Sequence, residues 1–273
     1  MRKKGEQVVQ SHVEWRRQNE VRKLHIIMIV VAVFLVISVV AGGVLAWLQL
    51  KKVTKPQVQS QAPISSSDGS LPVYEDSFNL ILVNSSNKIP EGYKIQLGEY
   101  NGVLVESRII PALSKMMEAA RQAGCPLKLT SGFVDEKTQD QNFQAEVKRL
   151  MQKQKLSQVL AENRAQASVG HGGYSERQTG LSVTFSAENQ KAGQNFNTTE
   201  QYHWLVSNSV TYGFILRFPE DPSSTTGISS KTGCYFDPSR FRYVGADNAV
   251  KMRELSMCLE EYVNYRTSQG TLS

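Results

Sequence analysis

Residues 26–50 read IIMIVVAVFLVISVVAGGVLAWLQL and carry no charged side chain. A helix that crosses the hydrocarbon core of a bilayer needs about 20 consecutive apolar residues. The run exceeds that length. It is also longer than the ~7–15-residue apolar stretch of a cleaved secretory signal, and it follows a polar tail. A helix buried in a soluble core would keep a polar face, and this one has none. The run is therefore expected to be an uncleaved signal anchor. Residues 1–25 hold seven Lys or Arg against three Glu, and only Lys51, Lys52 and Lys55 follow the run closely. That asymmetry places the N-terminal tail in the cytoplasm and the bulk of the chain outside the membrane, with Trp47 at the outer interface.

The formal net charge of +6 is concentrated in this tail, because the residues after 50 hold 24 basic and 22 acidic side chains. A nucleic-acid footprint requires a basic stripe on the folded part, and none is visible. Residues 51–78 open with a stretch rich in Gln, Ser, Pro and Val that buries little apolar surface, so they are read as a flexible extracytoplasmic linker. The folded domain is assigned to residues 79–273. Its three cysteines, Cys125, Cys234 and Cys258, fit no metal-knuckle spacing and suggest separate thiols rather than a disulfide framework.

Within the domain, Ile109, Leu113, Met116, Met117 and Ala120 recur at helical spacing, which predicts a helix over 105–124 with Gly124 as its C-terminal stop. Residues 127–131 are expected as a short strand and 139–167 as one or two amphipathic helices, with Met151, Val159 and Leu160 among the residues on the apolar side. A core strand is placed at 181–185 and a helix at 199–213 capped by Thr198 or Thr199. A strand over 241–245 leads into a last helix over 248–265 that buries Leu255, Leu259 and Tyr262. Periodicity alone gives a mixed α and β domain.

Two stretches say more. Residues 173–185 read GYSERQTGLSVTF, and residues 237–245 read DPSRFRYVG. Together they resemble the two metal-site motifs of the zinc D-Ala-D-Ala carboxypeptidases, the VanY-like family of cell-wall peptidases, written S-E-H-Q-T-G-L-A-x-D and E-P-W-H-F-R-Y-V-G. Three further runs resemble the family in the same order. They are LILVNSSNKIPEGY at 80–93, SGFVDEKTQ at 131–139 for S-G-Y-R-S-x-x-x-Q, and HWLVSNSVTYGFILRFP at 203–219. The resemblance implies an α+β fold, a small antiparallel sheet packed by helices as in the hedgehog/D-Ala-D-Ala-peptidase group, preceded by one transmembrane helix.

The resemblance also assigns roles. The family's zinc ligands are the His and Asp of the first motif and the His of the second; those positions here hold Arg177, Thr184 and Arg240. The general-base Glu is Asp237, and Ser239 replaces the Trp before the second His. The Arg that binds the substrate carboxylate in the third motif is Val134. Ser131, Gln139 and Ser175 are retained as cleft positions. Arginine offers N–H donors and no lone pair for a metal, and a catalytic zinc needs about three N, O or S ligands. No bound metal and no cofactor are therefore expected, although zinc is implied for the family. His171 and His203 are read as ordinary histidines, not as a relocated metal site. No G-x-S-x-G elbow is present, and nothing in the spacing around Cys234 favours a nucleophile.

Three functions fit this pattern. The first is a membrane-anchored, catalytically inactive carboxypeptidase relative that binds peptidoglycan stem peptide or an extracytoplasmic protein partner. The second is an active D,D-carboxypeptidase with a non-standard site. The third is a scaffold whose cleft is sealed. The first is favoured.

Overall fold

A computed structural model describes Leu71 and residues 74–190 and 194–272. The expected signal anchor and most of the linker lie outside the described residues. Among the described residues, no helix is long and apolar enough to cross a membrane.

Packing extends upstream of residue 79. The short helix α1 (Asp76–Asn79) follows Tyr74, whose ring meets Phe78 edge-on at 5.2 Å and whose hydroxyl donates to the Arg108 carbonyl. Asp76 pairs with Arg266 at 2.6 Å, which ties the start of the domain to its end.

A hairpin of β1 (Leu97–Tyr100) and β2 (Val103–Glu106) comes next, turned by Asn101 and Gly102, both at positive φ. The helix expected from residue 105 starts later. Val105 and Glu106 complete β2, and α2 spans Ile110–Gln122 with a proline in its first turn. The apolar spacing that predicts the helix is real, but Val105 packs into the same core from a strand. Gly124 takes the left-handed conformation just past the helix, as a C-terminal stop requires.

The main sheet has the order β3-β4-β6-β5, all antiparallel, from β3 (Leu127–Ser131), β4 (Ser182–Ala187), β5 (Phe214–Phe218) and β6 (Asp237–Tyr243). One face carries Leu129, Val183, Phe185 and Phe241, which join Leu113 and Met116 of α2 in the principal core. Successive side chains of a strand point to opposite faces, so Ser182 and Thr184 turn away from that core.

Between β3 and β4 lie α3 (Glu136–Gln154) and α4 (Gln158–Ser168). They form a separate small core of Phe143, Val147, Leu150, Ala161 and Ala165. Met151, Val159 and Leu160, expected on the apolar side, are exposed. The small alanines of α4 take the contact instead, because they allow the two helices to approach closely. The helix expected over 199–213 is α5 (Glu200–Asn208), capped by the Thr199 hydroxyl and continued by a 3-10 turn to Tyr212. The expected last helix divides into α6 (Ala246–Leu255) and α7 (Leu259–Ser268), with Ser256 at φ 54 between them. Leu259 and Tyr262 are buried as expected, whereas Leu255 is exposed. All three cysteines are free thiols.

Candidate functional site

The face of the main sheet turned away from the principal core is polar, and its strand register assembles the site. Ser131 of β3 lies opposite Thr184 of β4, and Thr184 lies opposite Arg240 of β6. Directly opposed residues share a face, so the three form a row across the sheet. Two strand spacings, roughly 10 Å, separate its ends. Arg177 joins the row from outside the sheet. It sits in a 3-10 turn, Glu176–Thr179, and its Nη1 donates to the Ser131 hydroxyl. Gly180 closes that turn at φ +67, where a Cβ would lie 2.6 Å from the Glu106 backbone nitrogen. Only glycine lets the chain pass from the turn into β4 against the hairpin.

Asp237 opens β6. Its Oδ2 lies 3.2 Å from Arg240 Nε, yet that nitrogen has no hydrogen-bond partner. The two observations agree if the approach is off-axis. The charges then pair across a short distance without a directed hydrogen bond, and the contact is single rather than the forked pair that arginine and a carboxylate can form. The Asp237 carboxylate is turned instead toward its own turn, where Oδ1 accepts from the Ser239 amide at 3.0 Å and its hydroxyl at 2.6 Å. Arg177 forms no ion pair with any described carboxylate. Burial, then the neighbouring Arg240, depress its guanidinium to about 10, and Asp237 offsets only part of this.

The remaining expected site residues fall around this row. The half-buried Val134 sits at its edge and donates its amide to the Arg177 carbonyl at 3.2 Å. Ser175 is buried at the entry to the 3-10 turn. Gln139 is fully buried, and its amide nitrogen donates to the Val169 and Gly170 carbonyls at 2.7 and 2.9 Å. Its described bonds hold the glycine-rich loop rather than the row. His171 lies against the Phe143 ring, with centroids 3.6 Å apart. His203 is exposed on α5. Burial raises the Cys234 thiol to about 11, which suppresses the thiolate that nucleophilic attack requires. An apolar cavity of about 390 Å³, lined by Val210, Ile215, Met252 and Cys258 among others, contains none of the row's residues.

What holds the row is a set of buried charges that the motifs alone do not single out. Arg217 of β5 is wholly buried between two carboxylates. Its Nε donates to Glu176 at 2.7 Å, and its Nη1 and Nη2 form a fork on Glu260 of α7 at 2.9 and 2.6 Å. Arg242, also wholly buried, donates to the Thr179 hydroxyl and to the Asn79 and Ile81 carbonyls. The turn bearing Arg177 is thus gripped on both sides, by Arg217 through Glu176 and by Arg242 through Thr179. Glu176 and Arg217 are legible in the motifs, but Glu260 has no local sequence signal.

Comparison with known proteins places this arrangement. The family model for VanY, D-alanyl-D-alanine carboxypeptidase, matches residues 102–246. The chain belongs to this family. A D-alanyl-D-alanine carboxypeptidase of Enterococcus faecalis is 35% identical over 191 residues, covering 70% of this chain and 67% of the relative. One of Enterococcus faecium is 28% identical over 228 residues, covering 82% of this chain and 65% of the relative. This VanY-family chain therefore spans about two thirds of the length of these relatives. Among solved structures, a variant of the D,D-pentapeptidase VanY from a VanB-type resistance cassette, in complex with Zn(II), superposes with a TM-score of 0.60 at 34% identity, covering 68% of this chain and 99% of that one. VanYB in complex with D-Alanine-D-Alanine matches equally well, with a TM-score of 0.60 at 34% identity.

The residues in the row do not fit a zinc ion. Arg177 and Arg240 bring fixed positive charge and no lone pair, and Thr184 offers only a neutral hydroxyl. Asp237, paired with Arg240, is a carboxylate beside them. Among the described residues, no group of three His, Cys, Asp or Glu comes together to hold a metal.

Proposed function

We propose that this protein is a membrane-anchored, extracytoplasmic relative of the D-alanyl-D-alanine carboxypeptidases that binds peptidoglycan stem peptide without cleaving it. One observation carries the reading: Arg177 and Arg240 stand in the Ser131–Thr184–Arg240 row, where the family resemblance places metal ligands. Two guanidinium groups repel a divalent cation, so the row has no metal to activate water or polarise a peptide carbonyl. Asp237 keeps a carboxylate at the position of the general base, but with no metal-bound water to act on. Support for the peptide as ligand comes from the retained fold and from VanYB, whose complex holds D-Alanine-D-Alanine. The membrane assignment rests on residues 26–50 and on the basic tail before them.

Two experiments test this. Full-length protein purified in detergent is expected to hold far less than one zinc per chain after dialysis and to release no D-alanine from an N-acylated Lys-D-Ala-D-Ala peptide. Stoichiometric zinc accompanied by D-alanine release would establish an active peptidase with a non-standard site and overturn the proposal. For topology, protease added to intact spheroplasts is expected to remove the C-terminal domain and spare the tail. Complete protection of the domain would refute the assigned orientation.

A further inference from the structure

Four arginines project from the polar face of the main sheet or from the turn above it, and they differ in what they touch. Arg217 is saturated by Glu176 and Glu260. Arg242 is wholly buried and donates through both Nη groups to a hydroxyl and two carbonyls, with only its Nε left unpartnered. Arg177 and Arg240 are not satisfied in this way. The Arg177 guanidinium has five N–H donors, and its one side-chain hydrogen bond among the described residues goes to Ser131. Arg240 is nine-tenths buried. Its Nε has no hydrogen-bond partner, and its guanidinium carbon lies 5.5 Å from the centre of the Phe218 ring.

We infer that Arg177 and Arg240 together form a receptor for a single carboxylate, the free C-terminus of a peptide, at the place where a zinc-bound relative holds a cation. The inference rests on the proposed function and specifies the chemistry by which that ligand is held. The charges select the ligand class. Two guanidinium groups and the Asp237 carboxylate leave a net charge of +1, which one monoanion neutralises. A phosphate, at about −1.5 to −2, would overcompensate and face Asp237. The donors also fit. Arginine matches a planar carboxylate with paired N–H groups, and the Thr184 hydroxyl lies between the two arginines in the row with no hydrogen bond of its own among the described residues. The turn and the sheet bring the two cations near enough for Arg240 to act on the Arg177 guanidinium, so binding recovers repulsion that folding imposed. Burial first, and after it that repulsion from Arg240, depress the Arg177 guanidinium. The sequence also lacks an arginine at Val134, where the resemblance places the family's carboxylate anchor, so the anionic terminus is held from a different part of the cleft.

The test is calorimetric titration of the full-length protein in detergent with two probes. One is an N-acylated Lys-D-Ala-D-Ala peptide with a free C-terminus, and the other is the same peptide as its C-terminal amide. The acid is expected to bind at least about ten-fold more tightly. Arg177→Gln should shrink the preference for acid over amide to within about two-fold. Arg177 is only half-buried, so this variant should fold, and its thermal melt would verify that. Acetate should compete with the acid, and inorganic phosphate should compete no better than acetate. Equal binding of acid and amide would overturn the carboxylate receptor while leaving the proposed function standing. Phosphate displacing the peptide more strongly than acetate would show that the anion class is wrong. If neither peptide binds, both the receptor and the proposed function fall.

Discussion

Replacing Arg217 by Met is expected to destabilise the domain by about 3–5 kcal/mol, because it leaves Glu176 and Glu260 buried with no counter-charge. That is a large part of the 5–15 kcal/mol by which a typical domain is stable. The residue is wholly buried and holds three charge-assisted hydrogen bonds, so its loss cannot be made good by solvent. Denaturant unfolding of the wild type and the variant measures the effect. An unchanged midpoint would mean that the two carboxylates find other partners, and the grip on the Arg177 turn would need another explanation. Replacing both carboxylates as well (Arg217→Met, Glu176→Gln, Glu260→Gln) should recover part of the loss, since uncharged side chains are cheaper to bury.

The same cluster sets an acid dependence. Burial pushes the Glu260 carboxyl upward, but the Arg217 fork outweighs it and holds the group below its ordinary value. A carboxyl lowered in the folded state contributes stability above its unfolded pKa and loses it as pH falls through the folded value. The wild-type midpoint should therefore fall as the pH drops below about 4. In the Arg217→Met variant burial is opposed only by weaker hydrogen bonds, chiefly from the Asn84 amide, and raises the carboxyl, so mild acid should stabilise that protein instead. A variant midpoint that rises between pH 7 and 4 while the wild type stays level there and falls only below about 4 would identify the ion cluster; parallel profiles would rule it out.

The second large effect is a gain of metal. The variant Arg177→His, Thr184→Asp, Arg240→His is expected to bind zinc, because it puts three ligating side chains on positions that the register and the Arg177–Ser131 contact bring together. At free zinc a thousand-fold above its dissociation constant, binding would stabilise the variant by about 4 kcal/mol. A thermal melt with and without zinc reads this directly, with the wild type as a control that zinc should not shift. A variant indifferent to zinc would mean that the three positions diverge, and both the metal-site mapping and the proposed convergence of Arg177 with Arg240 would fail. Release of D-alanine by the variant should stay low until Asp237→Glu and Val134→Arg are added, because the base and the carboxylate anchor are also changed.

Much of this molecule is determined locally. The apolar run at 26–50, β3 at Leu127–Ser131 and a cap at Thr198 or Thr199 could be read from neighbouring residues, because periodicity and capping act over short stretches of chain; Ser131, Arg177, Thr184, Asp237 and Arg240 stood out through the resemblance of their motifs to the family's. The unsuitability of arginine as a zinc ligand also needed no coordinates. Other features depend on partners far apart in sequence. Val105 has the spacing of a helix, but pairing with Gly98 makes it a strand residue. Val159, Leu160 and Leu255 are apolar yet exposed, because neighbouring surfaces were filled by Ala161, Ala165 and Leu259. Arg217 and Arg242 resemble Arg177 and Arg240 as letters in a motif. Only the fold brings Glu260 onto the first and backbone carbonyls onto the second, and leaves the other two arginines with fewer partners. Which cation is structural and which is free to bind depends on long-range burial and hydrogen-bond geometry, and one stretch of sequence carries neither.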